Sequence, residues 1–423
     1  MKHLTLILFI IPSFIFGQEW EMIYEEGVGN CVRQSTDGGY IVTGSIFGID
    51  SEDVLLLKTD GYGGVQWING YGKFLPDAGN SVKQTTDGGY IICGVTTWYQ
   101  DFFDVYLIKT DEYGDTLWTK HYGGADGQFG SSVIQNTDGG YVITGSTEIN
   151  TYNTDIYLIK TDEDGDTLWT KHYGHSVLKD LGYSIQQIAE GGYIIAGCTG
   201  SDGTGWDVYL MKTDENGDTL WGKKYGSPSI HEKAYSVQQT TDGGFIVSGF
   251  SADIPGTSSD VYLLKTNNDG LTQWSKTYSG NTYNEGNSVQ QTTDGGYIIA
   301  GGAFGVDSAS GMYLIKTDEN GDTLWTRIYE NCSRGGSSVQ QTVDGGYIIT
   351  GNTGSSADFY IYLLKTDENG LITSTTEIPI PNPNRKLIKS VDLSGREITN
   401  PKSNHPYIEI YDDGTTQKKM KLK

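Results

Sequence analysis

Seven aromatic residues of this chain fall in stretches that follow no regular pattern: Trp98, Tyr99, Phe102, Phe103, Tyr152, Trp206 and Phe304. With Asp and Asn nearby in the chain, such rings are suited to stacking on sugars or anchoring a protein partner, because Trp and Tyr are frequent interface hot spots. Residue types for catalysis are less well organised. The six histidines (His3, His121, His172, His175, His231 and His405) show no pairing, and there is no Gly-x-Ser-x-Gly elbow, His-Glu-x-x-His or phosphate-binding glycine loop. Arg33, Arg327 and Arg334 are too scattered to form a carboxylate-binding cluster. Among 53 acidic residues a carboxylate pair for glycoside hydrolysis is always at hand, so the pair by itself selects nothing. The segments 162–166 (DEDGD) and 318–322 (DENGD) offer oxygen ligands of the kind calcium takes, but they lack EF-hand spacing and read as hairpin turns. No cofactor and no catalytic residue is expected; structural calcium is the minor alternative.

The elements that would position these residues are set by a repeat. The stretch 287–301, NSVQQTTDGGYIIAG, has close copies throughout the chain. Its turn acid falls at Asp37, Asp87, Asp138, Glu190, Asp242, Asp294 and Asp344, at intervals of 50 to 52 residues. In the second repeat, 81–85 (SVKQT) can be extended, and Thr86-Asp87-Gly88-Gly89 is a hairpin turn. The segment 90–95 (YIICGV) is a strand, 96–103 a variable loop, and 104–110 (DVYLIKT) a third strand. A turn at 111–114 leads to a fourth strand, 116–122 (TLWTKHY). A four-stranded unit of about 51 residues cannot bury its own faces and must stack on its neighbours. Radial stacking of such units makes a β-propeller.

The ends of the array indicate how it closes. Trp67, Trp118, Trp169, Trp221, Trp274 and Trp325 mark the fourth strand, whereas the seventh repeat runs through 371–374 into a linker without one. The segment 19–25 (EWEMIYE) matches the missing pattern, with Trp20 in the Trp position. The expected fold is therefore all-β: a seven-bladed β-propeller closed by an N-terminal strand, rather than an open solenoid with capping repeats. The variable residues form two loop sets on one face of the ring. One lies between second and third strands (46–52, 96–103, 147–154, 199–206, 251–259, 303–310 and 353–359). The other joins consecutive blades, for example at 72–79, 123–130, 174–182, 227–234 and 279–286. A residue present in every blade serves what every blade needs, which is folding. A function that occurs once belongs to residues that do not repeat.

Residues 1–17 (MKHLTLILFIIPSFIFG) have a basic start, an apolar run and a small final residue, the pattern of a signal peptide cleaved after Gly17. No later segment is apolar enough to span a membrane as a helix. The net charge of −24 argues against nucleic acid and anionic membrane surfaces as partners. Export permits disulfides, but Cys31, Cys93, Cys198 and Cys332 sit at different places in their repeats and are expected to remain thiols.

The repeat array (18–374) resembles the Asp-Gly-Gly-Tyr repeat propellers of secreted bacterial proteins. Asp111-Glu112-Tyr113-Gly114 followed by Trp118 is similar to the Trp-docking motif of quinoprotein propellers and, off by one residue, to the Asp box of sialidases. Both motifs imply scaffold. After a Pro-containing linker (375–384), residues 385–423 resemble the C-terminal sorting domain of the type IX secretion system of Bacteroidota. The matching pieces are 391–397 (VDLSGRE), 407–411 (YIEIY), 412–415 (DDGT) and the basic end 418–423. That resemblance implies a small β module recognised by the secretion machinery, removal of the tail, and release or attachment at the outer-membrane surface. The chain is thus expected to be a monomeric, exported, non-enzymatic propeller binding a glycan or surface protein through its variable-loop face. A secreted polysaccharide hydrolase and a purely structural surface protein are the alternatives.

Overall fold

The computed structural model describes residues 19–372 except for the loop segments 48–50, 73–74, 100–101, 125, 151–152, 176–177, 202–204, 228–229, 254–255, 281, 306–309 and 355–357. In the tail it describes 386–392, 396–399, 406–411 and 416–420. The segments 1–17 and 375–384, expected to be a signal peptide and a linker, lie outside these residues.

Strand pairing sorts the array into seven four-stranded antiparallel sheets among the described residues. The second sheet is representative: Asp77–Gln84, Tyr90–Tyr99, Phe102–Thr110 and Thr116–Tyr122, each hydrogen-bonded to the next. The fifth and sixth sheets are also joined by a parallel bridge, Ser259 to Tyr283. The second and third strands are almost wholly buried and apolar, as expected of sheets covered on both faces. Apolar side chains from adjacent sheets mix between them, Val82, Ile92 and Ile108 of the second sheet packing with Ile41, Val54 and Leu56 of the first. The molecule is a β-propeller.

The repeated turn residues have specific tasks. Gly38 adopts a φ of 84°, which L side chains avoid, and its N–H closes the hairpin on the Ser35 carbonyl at 2.9 Å. Asp37 accepts from the Gly39 N–H at 3.0 Å and from Lys58 Nζ at 2.8 Å. Lys58 is buried on the third strand and would be an uncompensated charge without this partner. The same pair recurs as Lys109–Asp87, Lys160–Asp138, Lys265–Asp242, Lys316–Asp294 and Lys365–Asp344. In the fourth sheet Glu190 replaces the Asp, and Lys212 turns to Asn268 of the fifth sheet at 2.6 Å, which in turn donates to Glu190.

Contacts between sheets repeat just as strictly. The fourth-strand Trp lies on the turn glycine of the following sheet, so that a methyl on Gly321 would come within 2.8 Å of the Trp274 ring. Four residues after this Trp, on the same face of the strand, a Tyr hydroxyl donates to the same glycine's carbonyl: Tyr71 to Gly114, Tyr122 to Gly165, Tyr173 to Gly217, Tyr225 to Gly270, Tyr278 to Gly321 and Tyr329 to Gly370. Trp20 and Tyr24 make these two contacts to Gly63 of the first sheet. They do so from one 15-residue strand, Trp20–Gln34, whose first half pairs with Phe359–Thr366 of the last sheet and whose second half pairs with Tyr40–Phe47 of the first. The N-terminal segment therefore closes the ring.

One expectation needs correction. The loops between second and third strands are mostly continued hairpin. Tyr99 pairs with Phe102, Asn150 with Asn153 and Ser201 with Gly205, because β-bonding persists until only a few tip residues remain. The fourth-strand tryptophans are half-buried, with the exception of Trp20, which is 5% exposed. The tail forms a separate four-stranded sheet from Leu387–Asp392, Glu397–Ile398, Pro406–Tyr411 and Thr416–Met420. Its turns at 394–395 and 413–414 lie outside the described residues. All four cysteines are buried free thiols. Burial pushes the thiols of Cys198 and Cys332 up to about 12, where they are inert at neutral pH.

Candidate functional site

The strand directions place the second-to-third-strand hairpin tips and the sheet-to-sheet connections on one face. Contacts between the two sets bear this out, such as Glu148 N–H to the Gly127 carbonyl at 2.8 Å and Gly200 N–H to the Lys179 carbonyl at 2.8 Å. Just below this face, acidic residues that begin the third strand meet a buried polar residue that begins the first strand of the next sheet. A methyl on Gly174 would lie 2.1 Å from Asp155 Oδ1 and 3.0 Å from Asp180 Oδ2, which brackets the two carboxyl groups in one place. Asp53 with Asp77 and Asp207 with Glu232 occupy the equivalent seams. Burial raises the carboxyls of Asp53, Asp104 and Asp155, the last further raised by Asp180. Glu232 is pushed up to about 7 by burial, with Asp207 adding and the Ser227 N–H opposing. A carboxylic acid titrating near neutrality is what a general acid requires. Glu232 is only 5% exposed, however, and the arrangement recurs from seam to seam, so these acids belong to the scaffold. Among the described residues no cluster of three or more His, Cys, Asp or Glu is arranged to hold a metal.

The non-repeating chemistry of this face concentrates at the seam of the fourth and fifth sheets. Trp206 lies on the strand Gly205–Thr213, paired with Gly200, and is half-buried. Lys233, from the first strand of the fifth sheet (Ile230–Gln239), places Nζ 4.4 Å from the Trp206 ring centroid. This cation–π contact holds the ring at a fixed attitude while part of it stays accessible. Two residues on, Tyr235 sits at a β-bulge, where the pairing jumps from Ala234 to Ser236. Its ring meets Tyr183 edge-on at 5.3 Å and Phe250 at 5.9 Å. Every first strand carries this bulge, and a bulge re-aims the side chain it frees. At three of the bulges the residue is Asn, and its amide donates to the next sheet: Asn30 to Gly79, Asn80 to Gly130 and Asn287 to Gly336. Only the fourth and fifth sheets carry Tyr there, which makes an aromatic arc running inward from Trp206.

The seven aromatic residues singled out in the sequence do not come together as one group. Phe103 is 37% exposed and packs on Phe129 at 5.2 Å, from the second sheet to the third. Phe304 folds back over the backbone of Gly302, where an added methyl would come within 2.4 Å of its ring. Among the described residues no ring contact joins Phe103, Trp206 and Phe304. Trp98, Tyr99 and Phe102 extend the hairpin of the second sheet, with side chains outside the described residues, and Tyr152 lies wholly outside them. Sequence reasoning missed Tyr183, Tyr235 and Phe250 because it searched the loops, and passed over Lys233, inside the connection 227–234, because it sought aromatic rings. Their signal was a departure from the repeat: Tyr stands at 183 and 235 where other copies carry Asn or Ser.

No family model matches this chain, and no curated protein matches it in sequence. Solved structures do. A puromycin hydrolase superposes with a TM-score of 0.53 at 11% identity, over 91% of this chain and 58% of that one. A PL25 polysaccharide lyase, an ulvan lyase bound to a GlcA(1-4)Rha3S unit, gives a TM-score of 0.53 at 11% identity, over 85% of this chain and 98% of that one. Sqt1 from Chaetomium thermophilum gives 0.48 at 9% identity, over 96% and 99%. At such identities the likeness establishes the propeller fold alone.

Proposed function

We propose that this protein is a non-catalytic binding propeller that docks a glycan on its loop face, at the seam built by Trp206, Lys233, Tyr235 and Tyr183. The observation that carries this reading is the Trp206 ring fixed by Lys233 at 4.4 Å and continued inward by tyrosines that the other sheets lack. Sugars present apolar C–H faces that stack on such rings, and a neighbouring ammonium favours acidic or hydroxyl-rich saccharides. A protein of similar fold that holds a glucuronate-containing saccharide lends support. Catalysis is disfavoured because the perturbed carboxyls are buried and repeated. The signal-peptide pattern of 1–17 and the tail of 385–423 complete the proposal: the propeller acts outside the cell, delivered by the type IX route.

A glycan array combined with a polysaccharide-hydrolysis screen tests the binding. Trp206→Ala should weaken saccharide binding by about 2 kcal/mol, roughly 30-fold, with the melting temperature unchanged. Reducing-sugar release that a single carboxylate substitution abolishes would overturn the non-catalytic reading. Binding only to a protein partner would exclude the glycan. Fractionation of a host with a type IX system tests export: removing 385–423 should retain the propeller in the periplasm.

A further inference from the structure

The central channel is lined by the first strands of all seven sheets, and these strands expose an edge to it. Unpaired edge groups must find partners. In most of the ring a glutamine supplies one. Gln186 Oε1 accepts from the Gln239 N–H at 2.5 Å, Gln238 from Gln291 at 2.6 Å, Gln290 from Gln341 at 2.6 Å and Gln340 from Gln34 at 2.8 Å. The repeat position of this glutamine is occupied by Arg33, Lys83 and Ile134 in the first three sheets. None of these has an acceptor atom in its side-chain head to offer the edge N–H groups of Gln84, Gln135 and Gln187. One arc of the channel therefore presents a guanidinium, an ammonium and backbone donors together.

Arg33 is held in place, with Nη1 donating to the Val32 carbonyl at 2.6 Å and to Ser338 Oγ at 2.9 Å. Lys83 has no ion pair, and its ammonium donates no hydrogen bond, among the described residues. The contrast within the fold is sharp, because the third-strand lysines of six sheets, five of them buried, each pair with an Asp. The neighbouring Arg33 charge and burial together push Lys83 down to about 7, the Cys31 thiol opposing. The cavity has a volume of about 220 Å³, and its walls add Ser132, Ser184, Ser236 and Ser288 but no carboxylate. At ~30 Å³ per water that is room for roughly seven waters or one small organic anion. In a chain of net charge −24, an acid-free cationic arc inside the channel is a local exception.

We propose that the channel is an oxyanion site in which Arg33 and Lys83 bind a carboxylate, sulfate or phosphate group, with the serine hydroxyls as further donors. The cavity is lined by none of the seam residues Trp206, Lys233, Tyr235 and Tyr183, so either binding can fail without the other.

The test is calorimetric titration of the mature full-length protein with sodium glucuronate, sodium sulfate and sodium phosphate in turn, at matched ionic strength against sodium chloride. At least one should saturate with one site per chain, and which one does so identifies the source of the anion. Arg33→Gln and Lys83→Gln restore the glutamine that four other sheets already carry, so they should fold with no loss of melting temperature. Each should weaken binding at least about tenfold, the loss of one charged hydrogen bond. Saturable binding by none of the three anions, or wild-type affinity in Lys83→Gln, would overturn the proposal. A second readout needs no variant. The Lys83 ammonium, followed by ¹³C-labelled lysine NMR, should titrate about one unit higher with the anion bound, since an opposite charge favours the charged form. An unmoved midpoint would also overturn it.

Discussion

Removing residues 18–26 from a chain that begins at Gln18 should destabilise the whole propeller rather than its last sheet. Trp20 is 5% exposed and belongs to a cluster that contains Val42 and Leu55 from near the start of the array and Ile348, Ile361 and Leu363 from its end. Trp20→Ala alone should cost about 3–5 kcal/mol, the range for buried aromatic truncation. The deletion also removes the ladder that pairs Trp20 with Lys365 and Met22 with Leu363, and the Tyr24 hydroxyl bond to Gly63 at 2.8 Å, each hydrogen bond contributing about 1 kcal/mol. The total approaches the 5–15 kcal/mol by which domains are typically stable. Urea denaturation followed in parallel by tryptophan fluorescence and far-UV circular dichroism reads both size and cooperativity. The half-buried Trp169 supplies a control, and Trp169→Ala should cost less than Trp20→Ala. A deletion that leaves the midpoint unchanged would refute ring closure by this strand. So would one that melts a single sheet in a separate early transition.

Two further substitutions probe charge burial. Glu232 has a folded pKa of about 7, above its ordinary value, so its favourable contribution holds at low pH and is lost as pH rises from about 4.5 through 7. Glu232→Gln should therefore raise stability at pH 8 by up to about 3 kcal/mol and flatten its slope between pH 5 and 7.5, measured by denaturation at several pH values. Asp242 behaves oppositely: burial raises its carboxyl, but Lys265, Thr240 and the Gly244 N–H outweigh that and hold it at about 2. Stability tied to this pair is present above about pH 4 and lost as pH falls towards 2. Asp242→Asn should cost about 1–3 kcal/mol at pH 7, discounted for the half-exposed Asp, by leaving the buried Lys265 ammonium without its counter-charge. A loss below 0.5 kcal/mol, on the order of an exposed pair, would refute that role.

How far the sequence could be read depended on whether a residue repeats. The Asp-Gly-Gly turns, the buried strands and the Trp20 segment were legible because each recurs, and recurrence separates a folding requirement from chance. The third-strand lysine recurs from sheet to sheet, but its pairing with the turn acid, as of Lys58 with Asp37, was not legible, since it joins a strand to a turn 21 residues away across the sheet. The variable stretches read as loops because their sequences differ, yet backbone pairing carries Tyr99 to Phe102 without regard to side-chain identity. The candidate site was only partly legible. Trp206 was singled out, but Lys233, Tyr235 and Tyr183 lie 27, 29 and 23 residues from it along the chain.

By itself, the amino-acid sequence determined that this chain builds four-stranded sheets, how many residues each takes, and that its first strand completes its last sheet. Period, turn chemistry and strand composition are local properties, and a repeated local property has one arrangement that buries every sheet's faces. Tertiary structure decided which singular residues meet. A bulge turns Tyr235 towards Tyr183, a neighbouring strand lays Lys233 over Trp206, and ring closure brings the first strand's Gln34 beside Gln340 and sets Arg33 and Lys83 in a channel that glutamines line elsewhere. Such meetings depend on the registers of separate sheets, which no stretch of sequence contains.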